Sequence, residues 1–283
     1  MRTQQQMLDL ILGVASNDPR IRAVILNGSR ANANAPKDVY QDYDIVYVVR
    51  DIEHFTADNS WLDVFGTRLL LQMPEAMRSP TGDGRFSWLM LFTDGNRLDL
   101  TLLPLEQPEL IDKDSLSIPL LDKDGILPAF AKASDRDYLV TPPSALYYHS
   151  CCNNFWWCVQ NVAKGIARDE IPYAMMMYHT IVREELHYMT SWYIGTLTGF
   201  AVSAGKMGKY FKRYLPPAYY AQYLATYSGS DPTELWAALI ACCDLFGTLA
   251  KAVGSHLHYG YHNAEEEGMR TYLSNVQNKV YET

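Results

Sequence analysis

The sequence predicts an α+β protein: a mixed sheet with flanking helices over residues 1–143, followed by an all-helical domain over residues 144–283. Three observations predict it. Four short runs rich in β-branched and aromatic residues fall within the first 105 residues. An Asp-Gly pair joins two of them. From about residue 145 to 255 the pattern turns to long apolar stretches at helical spacing. A chain of 283 residues, 48% hydrophobic, suits one large domain or two of moderate size.

Met7, Leu8, Ile11, Leu12 and Ala15 recur at helical spacing, and Thr3 followed by Gln6 forms a candidate capping box. Asn17-Asp18-Pro19 stops that helix. AVILN (23–27) reads as a short buried strand broken by Gly28, and DYDIVYVV (42–49) as a second. FSWLMLF (86–92) and RLDLTLL (97–103) flank Thr93-Asp94-Gly95-Asn96 and read as an antiparallel hairpin. Beyond residue 106 the texture loosens, with two Asp-Lys-Asp tripeptides and several prolines, and the boundary is set at Thr141-Pro142-Pro143-Ser144. Three long helical segments follow, centred on FWWCVQ, REELHYM and LIACCDLF. The polar tail after Gly254 is assigned no element.

The net charge of −8 argues against a nucleic-acid backbone as partner and favours a small cation. No apolar run approaches the roughly 20 residues of a bilayer span. The N-terminus is too polar for a signal peptide. Five cysteines, an odd number and partly in adjacent pairs, suit a reduced, cytoplasmic setting rather than a disulfide framework.

Asp42 and Asp44 lie one residue apart at the start of a strand, so both carboxylates project to one face. Such a pair is unfavourable without a cation, and hard oxygen ligands suit Mg2+. Asp99 interrupts the apolar run Leu98-Asp99-Leu100. If its strand neighbours that of Asp44, the three carboxylates converge and can hold one or two Mg2+ ions for a phosphoryl transfer. Gly28-Ser29 ends the preceding strand; its backbone amides and hydroxyl can cradle a phosphate, and Arg30 adds charge. Singly these features are common in chains without such chemistry. Their order along the chain is what carries weight.

That order resembles the nucleotidyltransferase superfamily typified by DNA polymerase beta. More closely, LNGSRANANAPKDVYQDYDIVYVV, FTDGNRLDLTLLP, LLDKDG, FWWCVQNVAKGIARDEIPYA and GKMGKYFKRYLP resemble the aminoglycoside 6-adenylyltransferases, enzymes of streptomycin resistance. The resemblance runs from Met1 to about residue 255. It implies a nucleotidyltransferase domain followed by a helical substrate-binding domain. The implied reaction moves AMP from ATP to the 6-hydroxyl of streptomycin and releases pyrophosphate. Asp42 and Asp44 would then hold Mg2+, Gly28 and Ser29 would cradle the β and γ phosphates, and Asp99 would be a third metal ligand or the general base.

Streptomycin carries two guanidinium groups, so its site calls for carboxylates and aromatic faces. Asp169 and Glu170, within ARDEIPYA, are the first choice, with Trp157 and Tyr173 as aromatic company. Lys209, in the basic cluster GKMGKYFKRY, is a candidate for the ATP phosphates. The same residues on a helical domain are also what an ordinary core and solvated face would use. His149, Cys151, Cys152 and Cys158 lack a second pair at zinc spacing and read as core. His179 and His187 read as packing residues. Two other readings remain open: adenylylation of a protein or nucleic-acid end, and a nucleotide-binding module without catalysis. The second would be expected to lack one of Gly28, Ser29, Asp42, Asp44 or Asp99, and all are present.

Overall fold

The computed structural model describes residues 1–80, 82–111 and 114–280. They form two compact units, Met1–Asp137 and Tyr138–Thr283.

In the first unit, helix α1 (Gln4–Asn17) opens on the capping box. The Gln6 amide donates to the Thr3 hydroxyl at 3.2 Å, and the Thr3 amide donates to the Gln6 side chain at 2.9 Å. Met7, Ile11 and Ala15 from one face of α1 are fully buried. Strands β1 (Ile21–Asn27) and β2 (Tyr43–Val49) follow, then a short helix α2 (Ile52–Thr56). Strands β3 (Arg68–Gln72), β4 (Phe86–Phe92), β5 (Arg97–Pro104) and β6 (Ser117–Asp122) complete the sheet. Among the described residues its order is β3-β4-β5-β2-β1-β6. The β2–β5 pair is parallel and every other neighbouring pair antiparallel.

Period-two alternation sorts the two faces. Tyr43, Ile45 and Tyr47 of β2 and Leu98, Leu100 and Leu102 of β5 turn to the core beneath α1. Each large apolar side chain buried there contributes about 1.5–3 kcal/mol. The buried Tyr47 hydroxyl donates to the Ile11 carbonyl at 2.6 Å, tying sheet to helix. The other face carries a smaller cluster, Ala23, Ile25, Val48, Leu103 and Ile111. The polar residues Asp44 and Asp99 share that second face.

The second unit is helical: α3 (Ala145–Ala167), α4 (Ile171–Met177), α5 (Arg183–Thr198), α6 (Phe211–Tyr214), α7 (Pro217–Ala225), α8 (Pro232–Leu257) and α9 (Asn263–Gln277). One π-helical segment, Tyr178–Val182, links α4 to α5. The core lies among α3, α5 and α8, where Phe155 stacks on Phe246 with ring centres 3.7 Å apart. Arg183 is buried, yet it is satisfied: it donates to the Thr226 carbonyl at 2.8 Å and lies 3.6 Å from the Tyr227 ring centre. Helix α8 is long and apolar enough to cross a membrane, and 61% of its most apolar window is buried inside the unit. No apolar run of that length stood out in the sequence.

Several expectations need correction. The sequence reading has about four strands in the first 105 residues; β3 makes five there, and β6 forms in the segment read as loose. Both are edge strands. Leu69 and Leu70 of β3 are 63% and 66% exposed, so the run shows no alternation to read. Pro119 interrupts β6, as edge strands tolerate, and the pairing with β1 shifts register at Val24/Ile25. The polar tail forms α9, because Glu266 is buried and accepts from Lys251 at 2.8 Å, Arg270 at 2.9 Å and the Tyr261 hydroxyl at 3.0 Å. Asp112 and Lys113 of the first Asp-Lys-Asp tripeptide, and the last three residues of the tail, lie outside the described residues.

Candidate active site

β1 ends at Asn27, and the chain turns through a single 3-10 turn, Gly28–Arg30. Gly28 has φ +71°, a conformation that side chains disfavour. A Cβ there would also collide with the Asp44 carboxylate, 2.9 Å from its Cγ. Glycine is therefore required twice, by backbone and by space. The Gly28 amide donates to the Leu116 carbonyl at 3.1 Å. The carbonyl and hydroxyl oxygens of Ser29 accept from the Gln41 side chain at 3.2 and 3.4 Å. Arg30 donates to the carbonyls of Asp42 at 2.9 Å and Gln41 at 2.7 Å, and its guanidinium lies 3.7 Å from the centre of the Tyr43 ring. It fastens the turn to the start of β2.

The parallel register of β2 and β5 sets Asp44 directly opposite Asp99. Asp42 precedes β2 by one residue. Two residues before Asp99, and so on its face of β5, stands Arg97. Its guanidinium grips Asp99 with two bonds, Nε to Oδ1 at 2.8 Å and Nη2 to Oδ2 at 2.7 Å. Nη1 lies 3.5 Å from Asp42 Oδ2. Asp44 has no ion-pair partner among the described residues. Burial, followed by repulsion from Asp99 and Asp42, pushes its carboxyl up to about 6, against the smaller pull of Arg97. Asp42 is raised as well, chiefly by burial. Beside Asp99, the hydroxyls of Ser87 and Thr101 bond at 3.0 Å.

The expected convergence of three carboxylates is therefore incomplete. Among the described residues, no group of three His, Cys, Asp or Glu side chains is gathered closely enough to hold a metal as it stands. Arg97 already occupies Asp99 and reaches Asp42. The donor chemistry still fits a hard divalent cation such as Mg2+. The Asp44 carboxyl is raised by burial and by its two carboxylate neighbours, it is seated against a glycine that leaves it room, and Asp42 and Asp99 supply further oxygens. Arg97 escaped the sequence reading; the signal was its two-residue spacing from Asp99.

In the second unit Lys209 follows the turn Lys206–Gly208, and its ammonium lies 5.4 Å from the centre of the Tyr210 ring. Trp157 is 65% and Tyr173 46% exposed, and the two make no ring contact with each other. Asp169 has φ +59°, and Glu170 stands at the N-cap position just before α4. None of these five lines the two cavities described in this unit. One, about 680 Å³, has Tyr147, Tyr188, Trp192 and Lys206 among its walls. The other, about 520 Å³, shares His187, Tyr188 and Met207 with it and adds Glu184. Tyr188 stacks on Trp192, ring centres 6.2 Å apart, and its hydroxyl donates to Glu184 at 3.3 Å. In the first unit a groove of about 690 Å³ runs along α1 and takes no wall from the three aspartates. All five cysteines are free and buried. His187 packs against Phe211 with ring centres 4.9 Å apart, as the packing reading expects.

A family profile described as Streptomycin adenylyltransferase matches residues 1–276. An aminoglycoside 6-adenylyltransferase of Bacillus subtilis (strain 168) is 41% identical over 280 residues, covering 98% of each chain. One from Campylobacter jejuni is 42% identical over 266 residues, covering 92% of this chain and 91% of the relative. A crystal structure of an aminoglycoside 6-adenyltransferase from Bacillus subtilis is 38% identical, with a TM-score of 0.49, covering 98% of this chain and 99% of that one.

Proposed function

The chain belongs to the streptomycin adenylyltransferase family, and from that premise we propose that it transfers AMP from ATP to a hydroxyl of an aminoglycoside, the 6-position of streptomycin, and so confers resistance. The observation that carries this reading is Asp44 facing Asp99 across a parallel strand pair, with Gly28 seated against the Asp44 carboxylate.

The substrate hydroxyl oxygen attacks the α phosphorus of ATP, the bond to the bridging oxygen of the β phosphate breaks, and pyrophosphate leaves. Asp42, Asp44 and Asp99 are the residues that would hold Mg2+, which when bound neutralises phosphate charge in the substrate and on the leaving group. The Gly28 amide is engaged by the Leu116 carbonyl, so the Ser29 amide and hydroxyl are what the Gly28-Ser29 turn offers the β and γ phosphates, while Arg30 keeps that turn in register with β2. The hydroxyl proton goes to a carboxylate: Asp99 is the base where Asp42 and Asp44 alone hold the cation, and the third ligand otherwise. In the second unit, Asp169, Glu170, Trp157 and Tyr173 remain the candidate contacts to the drug, and Lys209 the candidate contact to ATP.

The test is pyrophosphate release by the purified protein with ATP and Mg2+, with and without streptomycin and other aminoglycosides. Release that requires streptomycin and is lost in Asp99→Asn supports the reading. Mg2+-dependent ATP binding without release for any aminoglycoside would move the acceptor to another class.

A further inference from the structure

Like-charged side chains at adjoining positions separate unless something holds them. Here Asp42 and Asp99 share one cation, the guanidinium of Arg97, and among the described residues neither has any other ion-pair partner. The contact with Asp99 is bidentate, at 2.8 and 2.7 Å, and uses both carboxylate oxygens. These are the oxygens a hard divalent cation would use. Arg97 is well placed to yield them, since its side chain is 43% exposed. Strand β5 delivers it to this face by spacing alone, because residues 97 and 99 point the same way.

We infer that Arg97 is a positioning residue that stands in for the divalent cation. It holds Asp42 and Asp99 at the site beforehand, and it must release them when the cation binds. The inference rests on the reading of Asp42, Asp44 and Asp99 as the metal-holding set. Two opposed consequences separate it from a merely structural ion pair. Without Arg97 the metal-free protein keeps three carboxylates with less positive charge and loses stability. The same change removes a competitor, so affinity for the cation rises. A pair that only braces the fold would show the first effect and not the second.

The experiment titrates the full chain with Mn2+, reading free Mn2+ by electron paramagnetic resonance, for wild type, Arg97→Gln and Arg97→Lys. Glutamine leaves a shorter, polar side chain without the charge; lysine keeps a charge without the fork. The expected result is Mn2+ affinity about five- to tenfold tighter in Arg97→Gln and intermediate in Arg97→Lys. In chelator Arg97→Gln melts below wild type, and Mn2+ raises its Tm by more. Unchanged or weaker Mn2+ affinity in Arg97→Gln would overturn the stand-in role and leave the metal-holding set intact. An absence of Mn2+ binding in all three proteins would overturn both.

Discussion

Asp44 is the residue on which the candidate site turns. Its carboxyl is raised from 3.8 to about 6, so the fold favours its protonated form. The sign follows: stability of the metal-free protein falls as pH rises from about 4 through about 6, where the carboxyl ionises in an unfavourable setting. Asp44→Asn removes that loss. In chelator at pH 7 the variant is expected to melt above wild type, by the equivalent of about 1–3 kcal/mol, with the gap closing towards pH 4. On the proposed metal-holding role its turnover is expected to fall at least about a thousandfold, with the strand unchanged. Melting curves from pH 4 to 8 check the first part; a variant less stable than wild type at pH 7 would contradict it. The three aspartates and Gly28 are legible in the sequence because strand periodicity and backbone freedom are local properties. Arg97 is legible in its two-residue spacing from Asp99, but its reach to Asp42 is legible only once β5 is known to lie beside β2. Arg30 reads as a phosphate contact for the same reason: its ties to the carbonyls of Gln41 and Asp42 depend on how the loop returns.

Among elements, the β4–β5 hairpin is the clearest success of pattern reading, and it holds more than itself. Asp94 in its turn accepts from the Arg2 amide at 3.0 Å and the Arg2 guanidinium at 2.7 Å, and from the Asn96 amide at 3.0 Å. Arg2 also donates to the Phe65 carbonyl. The start of α1 is thus fastened to the hairpin. The Arg2 bond holds the Asp94 carboxyl well below the usual carboxylate range. A lowered pKa contributes stability that is present above the unfolded value and fades as pH falls through the folded one. Asp94→Asn should cost about 1–2 kcal/mol at pH 7, with less difference at pH 3. Urea unfolding at the two pH values reads this directly; an equal cost at both would show that the charge does not matter. The elements that escape the sequence reading share one physical trait, which is that their stability comes from partners distant in the chain. Helix α9 is held through Glu266 by Lys251 and through Arg270 by Asp244. Strands β3 and β6 are edges that borrow their hydrogen bonds from β4 and β1.

At the scale of the whole molecule, each compact unit has its own core, one between α1 and the sheet and one among α3, α5 and α8. The general architecture is legible because helical and strand periods occupy separate halves of the chain. The substrate contacts are not, since aromatic and acidic residues on helices serve cores, solvated faces and binding sites alike. The parallel β2–β5 pair has one more consequence, and it concerns time. The β4–β5 hairpin closes over four residues, Thr93 to Asn96, and the backbone hydrogen bonds inside each helix of the second unit are likewise local. Asp44 and Asp99 can face each other only after the long intervening segment, with α2, β3 and β4, has closed its loop, and long-range pairing of this kind is slow. The site is therefore a late product of folding. On dilution from denaturant, the helical circular dichroism signal should return first and catalytic competence should lag behind it. Simultaneous recovery of the two would mean that the parallel pairing forms early and guides the rest.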